Sequence, residues 1–284
     1  NLGSFTDTSI LSGNYFGVYY EYSSKQDRKL TLDDISIDGL FIRDTLPPLI
    51  QSLEVADSSS INITFSEPVN IDSLKQKQNY FIDGMGIPDS IFITGTDKVH
   101  LKFNSGFINE NTYPIQIKNI TDLNENESEV LIDSFFYYQA VQHDVLITEI
   151  HPDPLPVVDL PEFEYIEIFN HSPYNIDLSG WTVQTGRAEK SFPAYQLHSK
   201  QRLILCHEDA IPLFSQYGDC IGIFTSLSSL LNTRDTIAIH DQYKNLIDSV
   251  SYSDEWHNAD KQDGGWSLEL TNDERRCMNE ANWN

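Results

Sequence analysis

Basic residues are scarce in this chain. Its 284 residues include 18 Lys and Arg against 43 Asp and Glu, which gives a formal net charge of −25 at pH 7. A protein with this charge repels phosphate backbones and anionic membrane surfaces at low ionic strength. Arg275 and Arg276 form a basic pair near the C-terminal end that is too small for a nucleic-acid-binding patch. The composition therefore argues against nucleic acid as a partner.

Long apolar runs are also absent. No stretch approaches the roughly 20 apolar residues that a membrane-spanning helix needs, so we expect no membrane insertion. The first residues, NLGSFTDTS, show neither an initiator Met nor a signal-peptide pattern, which is typical of the middle of a longer polypeptide. We therefore expect the sequence to be a piece of a larger, secreted protein.

Cysteine is rare, and the patterns that support catalysis are missing. The chain has three cysteines, Cys206, Cys220 and Cys277. Because the count is odd, they can form one disulfide and leave one free thiol, or all three can be free. The sequence contains no CxxC pair, so it gives no indication of a zinc site. His207 follows Cys206, but neighbours along a strand point to opposite faces, which argues against a nucleophile and its base. Because GxSxG, Walker and GxGxxG patterns are also absent, we predict no catalytic residue and no enzyme.

Short alternating segments dominate what is present. Residues 145–150, 162–170 and 181–184 alternate apolar and polar side chains and are separated by Pro, Asp, Asn and Gly. A hydrophobic content of 39%, with 12% aromatic residues, is sufficient for ordinary cores. The best helical patterns are short, at residues 72–80 and 208–217. The sequence therefore predicts an all-β fold of tandem antiparallel β-sandwiches.

The C-terminal half carries several separated motifs in a fixed order. They are DVLITEI, EYIEIFN, LSGW, RDTI and GGWSLE. In this order and spacing they resemble the bacterial, extracellular form of the lamin tail domain, over Asp144 to Trp283. The resemblance implies an immunoglobulin-like sandwich, and we place this domain at residues 141–284.

Two further segments precede that domain. The linker RDTLPP, with two prolines that cannot donate ladder hydrogen bonds, leads into ITFSEPV and YPIQI. These resemble a bacterial immunoglobulin-like domain, which we place at residues 44–140. Upstream, YFGVYYEYSS and LDDISI predict a partial N-terminal β hairpin. They resemble the closing strands of jelly-roll domains in Bacteroidetes surface proteins, so residues 1–43 are expected to be the end of a truncated jelly roll.

Acidic residues offer the candidate metal sites. Six of them lie close together on two predicted strands: Glu149, Asp153, Asp159, Glu162, Glu164 and Glu167. Oxygen ligands at this density suit Ca²⁺, and we name Glu149, Asp153, Glu162 and Glu164 as candidate ligands of a structural Ca²⁺. The alternative is a solvated face, or carboxylates that cap backbone amides. The jelly-roll resemblance implies a second calcium position at Asp33 and Asp34.

Tryptophan offers the candidate ligand contact. An exposed indole face packs well on the apolar face of a sugar. We expect Trp181 and Trp266 to fill the sandwich core instead, and Trp256 to lie in a loop and be partly exposed. Trp256 is therefore the candidate ligand-binding residue.

The resemblances imply a non-catalytic interaction, adhesion or structural module of a bacterial protein that is secreted or lies on the outer surface. Its expected partner is a protein or glycan at the cell surface, and no cofactor is expected beyond Ca²⁺. Two alternatives stay open. Lamin-tail-like domains accompany extracellular nucleases and phosphatases, so the chain could be an accessory part of a hydrolase that acts on nucleic acid, phosphoesters or glycosides. Eukaryotic lamin tails suggest nucleic-acid binding, which the charge argues against.

Overall fold

The computed structural model describes residues 44–274 and 280–284. Asp33, Asp34, the predicted N-terminal hairpin and Cys277 lie outside the described residues. The chain divides into two compact units, Asn1–Leu46 and Pro47–Asn284. The division falls inside the predicted RDTLPP linker.

The first part of the second unit is a sandwich of a four-stranded and a three-stranded sheet, in the orders β1-β2-β5-β4 and β3-β6-β7. Its strands are β1 (Ile50–Asp57), β2 (Ser60–Phe65), β3 (Tyr80–Ile82), β4 (Ser90–Ile93), β5 (Lys98–Lys102), β6 (Asn111–Ile117) and β7 (Leu131–Tyr137). Every pairing is antiparallel. This is the strand count of an immunoglobulin-like domain.

Alternation along the strands builds the core of this first sandwich. In β6, Tyr113, Ile115 and Ile117 are buried while the residues between them are exposed, because successive side chains leave a strand on opposite faces. The Phe107 ring closes one part of this core, with centroids 5.0 Å from Phe135 and 5.1 Å from Tyr113.

The second part is a larger sandwich of a five-stranded sheet, β15-β14-β9-β8-β18, and a four-stranded sheet, β12-β11-β16-β17, with a small β10-β13 pair. Its strands are β8 (Val145–His151), β9 (Tyr165–Asn170), β10 (Ile176–Asp177), β11 (Thr182–Gln184), β12 (Glu189–Ser191), β13 (Gln196–Leu197), β14 (Arg202–His207), β15 (Cys220–Phe224), β16 (Arg234–His240), β17 (Leu246–Ser253) and β18 (Leu268–Glu269). The predicted all-β class with tandem sandwiches is confirmed.

Both predicted helices are shorter than the sequence indicates. In the first sandwich, α1 (Ile71–Leu74) is one turn, capped by Asn70 Oδ1, which accepts from Asp72 N. In the second, a 3₁₀ turn at Glu208–Ala210 leads into α2 (Ile211–Phe214). The segment with α2 links β14 to β15, which run parallel, and a parallel pair needs a crossover connection of this kind.

Strand β9 begins later than expected, at Tyr165 instead of residue 162. Residues 161–164 therefore do not follow the two-residue alternation of a strand. Glu162 is exposed while Glu164 is buried, although the predicted strand would have put both on one face. In the described part of the chain, no helix has the length and apolar character needed to cross a membrane.

Candidate functional site

Buried carboxylates are the groups of an acidic protein whose surroundings most strongly affect their chemistry. Among the described residues, the buried acids are Asp122, Glu164, Asp235, Asp241 and Asp248. Each of them accepts at least one hydrogen bond from a backbone N–H. A buried amide without a partner is costly, so these carboxylates satisfy backbone groups of turns and strand ends.

Glu164 shows the arrangement most clearly. Its Oε2 accepts from the backbone N–H groups of Ser229 and Leu230, the latter at 2.9 Å. These two amides lie 65 and 66 residues further along the chain, so the carboxylate ties the start of β9 to the loop before β16. Burial raises the pKa of Glu164, while the two amide bonds lower it.

Asp235, in the RDTI motif, has a similar role. Its Oδ1 accepts from Gly186 N at 2.7 Å and from Thr236 N at 2.7 Å. A Cβ on Gly186 would overlap Asp235 Oδ1, so the hairpin between β11 and β12 approaches this closely only because residue 186 is glycine. The aspartate of this motif therefore holds a hairpin in place.

Glu149 and Glu167 lie opposite each other on β8 and β9. Tyr165 donates its hydroxyl to Glu149, whose pKa is raised by burial. Glu167 forms an ion pair with Arg202 and accepts from Thr148 Oγ1 at 2.7 Å. Both carboxylates thus have side-chain partners within the five-stranded sheet.

The remaining acids of the predicted set are dispersed. Asp153 is half-buried beside the turn at residues 264–265, and Asp159 and Glu162 are exposed. Among the described residues, no three ligand atoms of Glu149, Asp153, Glu162 and Glu164 lie within 4.8 Å of one another. Calcium binding by this set stays a prediction. The measurement that tests it is a melting temperature in Ca²⁺ and in chelator.

Among the described residues, the thiols and imidazoles are not arranged as a nucleophile with its base. Cys206 is fully buried, and burial raises its pKa to about 12, which keeps the thiol protonated. Cys206 and Cys220 are both free. His207 Nδ1 accepts from Asp209 N at 3.2 Å and so caps the 3₁₀ turn that follows β14.

The tryptophans divide between core and surface differently from the sequence prediction. Trp181 fills the core as expected, but Trp266 is partly exposed, with Lys261 Nζ 4.6 Å from its ring centroid. Trp256 lies in the 3₁₀ turn Asp254–Trp256 and is partly exposed. It also packs against the core, with its ring centroid 6.1 Å from that of Trp283. Partial exposure leaves Trp256 as a candidate contact.

The connection between the two sandwiches, residues 138–144, is bonded to both of them. Asp144 Oδ2 accepts from Tyr138 Oη at 2.8 Å and from Val141 N at 2.6 Å. Gln139 exchanges two bonds with Asn109 of the first sandwich, at 2.7 and 2.9 Å. His143 N donates to Ile247 O of β17 at 2.8 Å. The connection is therefore a fixed junction.

A cleft of about 280 Å³ opens at this junction, and we name it the interdomain cleft. Its walls come from the ends of β1 and β7 on one side, and from the β10 region and the β16–β17 turn on the other. The polar and aromatic side chains that line it include Asp57, Tyr137, Tyr138, Gln139, Asn175, Asp177, Trp181, Asp241, Gln242 and Tyr243. Clefts between domains are common places for ligand binding.

Three polar side chains of the interdomain cleft each have one oxygen that accepts a hydrogen bond from within the protein. Asp177 Oδ1 accepts from Ser179 N at 2.9 Å and from Ser179 Oγ at 2.6 Å. Asn175 Oδ1 accepts from Ser199 N at 3.0 Å. Gln242 Oε1 accepts from the indole N–H of Trp181 at 2.9 Å. No sequence motif pointed to these residues as a site, because Gln242 lies 61 residues from Trp181 along the chain and meets it only in the folded second sandwich.

Comparison with known families assigns both sandwiches. The model of the bacterial Ig-like domain family matches residues 44–136, and that of the Lamin Tail Domain family matches residues 139–254. The two predicted resemblances are therefore confirmed. A search of curated proteins finds no match for this chain.

The similar solved structures are distant. The N-terminal part of the bacterial S-layer protein SbsC is 16% identical with a TM-score of 0.38, over 73% of this chain and 44% of that one. SbsC domains 1-6 are 12% identical with a TM-score of 0.31, over 73% and 41%. An L,D-transpeptidase from Mycobacterium smegmatis is 9% identical with a TM-score of 0.25, over 63% and 89%. This chain spans less than half of either S-layer structure, and likenesses at these TM-scores carry no argument about function.

Proposed function

We propose that this chain, a bacterial Ig-like domain followed by a lamin tail domain, is a non-catalytic structural and interaction module of a larger extracellular or cell-surface protein. One observation carries the proposal: every buried carboxylate among the described residues accepts a backbone N–H. A carboxylate oxygen that accepts a backbone N–H serves the fold, whereas a catalytic acid or base needs contact with a substrate. The partner that we propose is a protein or a glycan at the cell surface.

The fixed junction supports the structural part of this proposal. Domains joined by a loose linker move relative to each other, whereas residues 138–144 are bonded to both sandwiches. A module that holds two sandwiches at a constant angle is suited to spacing or presenting an attached domain. The junction is thus the feature to perturb.

Replacing Asp144 with Ala tests the junction. The change removes the acceptor of both Tyr138 Oη and Val141 N, so we expect the two sandwiches to remain folded and to reorient more freely. Residual dipolar couplings of the two domains should fit a single alignment tensor in the natural protein and two tensors in Asp144→Ala. Asp133→Ala is the matched control, because exposed Asp133 accepts only from the neighbouring Ser134 N. A single tensor for Asp144→Ala would contradict the assigned role.

The absence of catalysis is tested separately. Purified chain is incubated with polysaccharides, DNA and phosphoesters, and product formation is followed over hours. We expect no product above the background. Turnover that is lost on substitution of a cleft residue would overturn the proposal in favour of a hydrolase.

Labelling of intact cells with an antibody to this chain tests the proposed surface location.

A further inference from the structure

We propose that the interdomain cleft binds a neutral glycan. The proposal deepens the function proposed above, on which it rests, by naming the class of ligand. The side chains that line the cleft support it. Its residues come from both sandwiches, and hydrogen bonds within the second sandwich hold its polar side chains Asn175, Asp177 and Gln242 in place. A site that is ordered in advance loses less entropy on binding.

The hydrogen-bonding groups of the cleft call for a ligand that both donates and accepts. Asn175 and Gln242 each use the carboxamide oxygen within the fold, which leaves the NH₂ group to donate. Asp177 uses Oδ1 within the fold, which leaves Oδ2 to accept. A hydroxyl group donates one hydrogen bond and accepts others, so neighbouring sugar hydroxyls satisfy both kinds of group together.

Tyr243 supplies an aromatic surface beside these groups. It is 49% exposed and lies in the β16–β17 turn. Asp241 Oδ1 holds this turn by accepting from Tyr243 N at 2.9 Å and from Asn245 N at 2.8 Å. The apolar face of a pyranose ring packs on an aromatic ring, so an ordered and exposed tyrosine next to planar polar groups suits a saccharide.

Charge disfavours anionic ligands in the cleft, and hydrogen-bonding capacity disfavours cationic ones. Asp57, Asp177 and Asp241 line it, and none of its lining residues in the described chain is Lys or Arg. An anionic ligand would therefore be repelled. An ammonium or guanidinium group only donates hydrogen bonds, so it cannot pair with the carboxamide donors of Asn175 and Gln242. A neutral saccharide has no anionic group to be repelled, and its hydroxyls pair with both the carboxamide donors and the carboxylate acceptor.

The indole N–H of Trp181 gives a local reading of occupancy, because it donates to Gln242 Oε1 at the wall of the cleft. The natural chain is titrated with cellotriose, mannotriose and chitotriose, and the Trp181 indole resonance is followed by proton–nitrogen NMR. We expect a saturable shift with at least one trisaccharide. Trigalacturonic acid serves as the anionic probe and Nα-acetyl-lysine methylamide as the cationic probe, and we expect neither to produce a shift.

Two variants complete the test. Tyr243→Ala removes the ring and should weaken trisaccharide binding about tenfold, the equivalent of about 1.4 kcal/mol. Tyr217→Ala is the matched control, because Tyr217 is 54% exposed and lies outside the cleft. Asp177→Asn keeps Oδ1 for the Ser179 turn and replaces the accepting oxygen with a donor, so it should also weaken binding.

Three results would overturn the glycan assignment: no Trp181 shift with any neutral trisaccharide, equal losses in Tyr243→Ala and Tyr217→Ala, or a shift with the charged probes alone. None of these involves turnover or interdomain motion. The glycan assignment can therefore fail while the non-catalytic module stands.

Discussion

At the scale of single residues, the surroundings of a carboxylate decide its role more than its place in a motif does. Glu162 and Glu164 are two residues apart, and only Glu164 reaches the amides of Ser229 and Leu230. Glu162 is exposed. The pair therefore provides an internal comparison between a structural acid and a solvated one.

Glu164→Ala should destabilise the fold by about 3 kcal/mol, because it leaves two buried amides without an acceptor. Glu162→Ala should change the free energy of unfolding by less than about 0.5 kcal/mol. Urea unfolding followed by circular dichroism measures both. Equal effects of the two substitutions would show that the amide bonds of Glu164 contribute little.

As pH falls, protonation of a buried imidazole destabilises the folded state, whereas protonation of a buried acid stabilises it. His151 is fully buried, and burial lowers its pKa to about 4. Burial also lowers the pKa of His257. Burial raises the pKa of Glu149 and of Glu164, so protonation of these acids at low pH favours the folded state.

His151 should make the protein sensitive to acid. Its pKa is about 4 when folded and about 6.5 when unfolded, so between these values the unfolded state binds more protons. The free energy of unfolding should then fall by about 3 kcal/mol from this residue as pH drops from 7 to 4. His151→Phe should reduce this fall, and His198→Phe, at an exposed site, should not. Identical pH dependences of natural protein and His151→Phe in urea unfolding would refute the assignment.

At the scale of elements, a double-glycine turn holds the long loop between β8 and β9. Gly264 and Gly265 have φ values of +93° and +80°. A Cβ on Gly264 would overlap the carbonyl oxygen of Leu155, and one on Gly265 would overlap that of Pro156. Gly265 N donates to Asp153 O at 2.8 Å. The turn before β18 and the proline-rich loop therefore approach backbone to backbone.

Gly265→Ala should open this contact. Its left-handed conformation costs about 1–2 kcal/mol for an L-residue, and the overlap with Pro156 adds to that cost. We expect a lower melting temperature and faster proteolysis within residues 153–160. Gly218→Ala is the control, because a Cβ there meets nothing within 4 Å. Unchanged proteolysis of the loop in Gly265→Ala would mean that the close approach does not hold it.

At the scale of the whole molecule, charge decides which partners can approach. The formal charge of −25 accompanies only 18 basic residues in the complete sequence. Binding to phosphate backbones depends on the release of counterions by clustered Lys and Arg. The match to the Lamin Tail Domain family is therefore not a reason to expect binding to nucleic acid.

The chain should therefore not bind nucleic acid at low ionic strength, where phosphate contacts are strongest. A mobility-shift assay with duplex DNA, single-stranded DNA and duplex RNA at about 20 mM salt should show free probe throughout. A complex that weakens steeply as salt rises would contradict the charge argument and restore the nucleic-acid alternative.

Much of the fold was predictable from local sequence. The alternation in EYIEIFN and YPIQI, the turns between strands and the RDTLPP linker predicted two sandwiches, because strand formation and turn chemistry depend on neighbouring residues. The two family resemblances agreed with the families whose models match residues 44–136 and 139–254. Helices 72–80 and 208–217 were overestimated, because short amphipathic patterns do not reveal where tertiary contacts end a turn.

The sequence by itself determined the β class, the order of the two domains and the repulsion of polyanions, since these follow from local pattern and summed charge. Only the tertiary structure decided that Glu164 is buried on backbone amides, that Trp266 is partly exposed and that Asn175, Asp177 and Tyr243 line one cleft. The physical reason is distance along the chain: burial and convergence depend on packing between segments tens of residues apart, which local alternation does not encode.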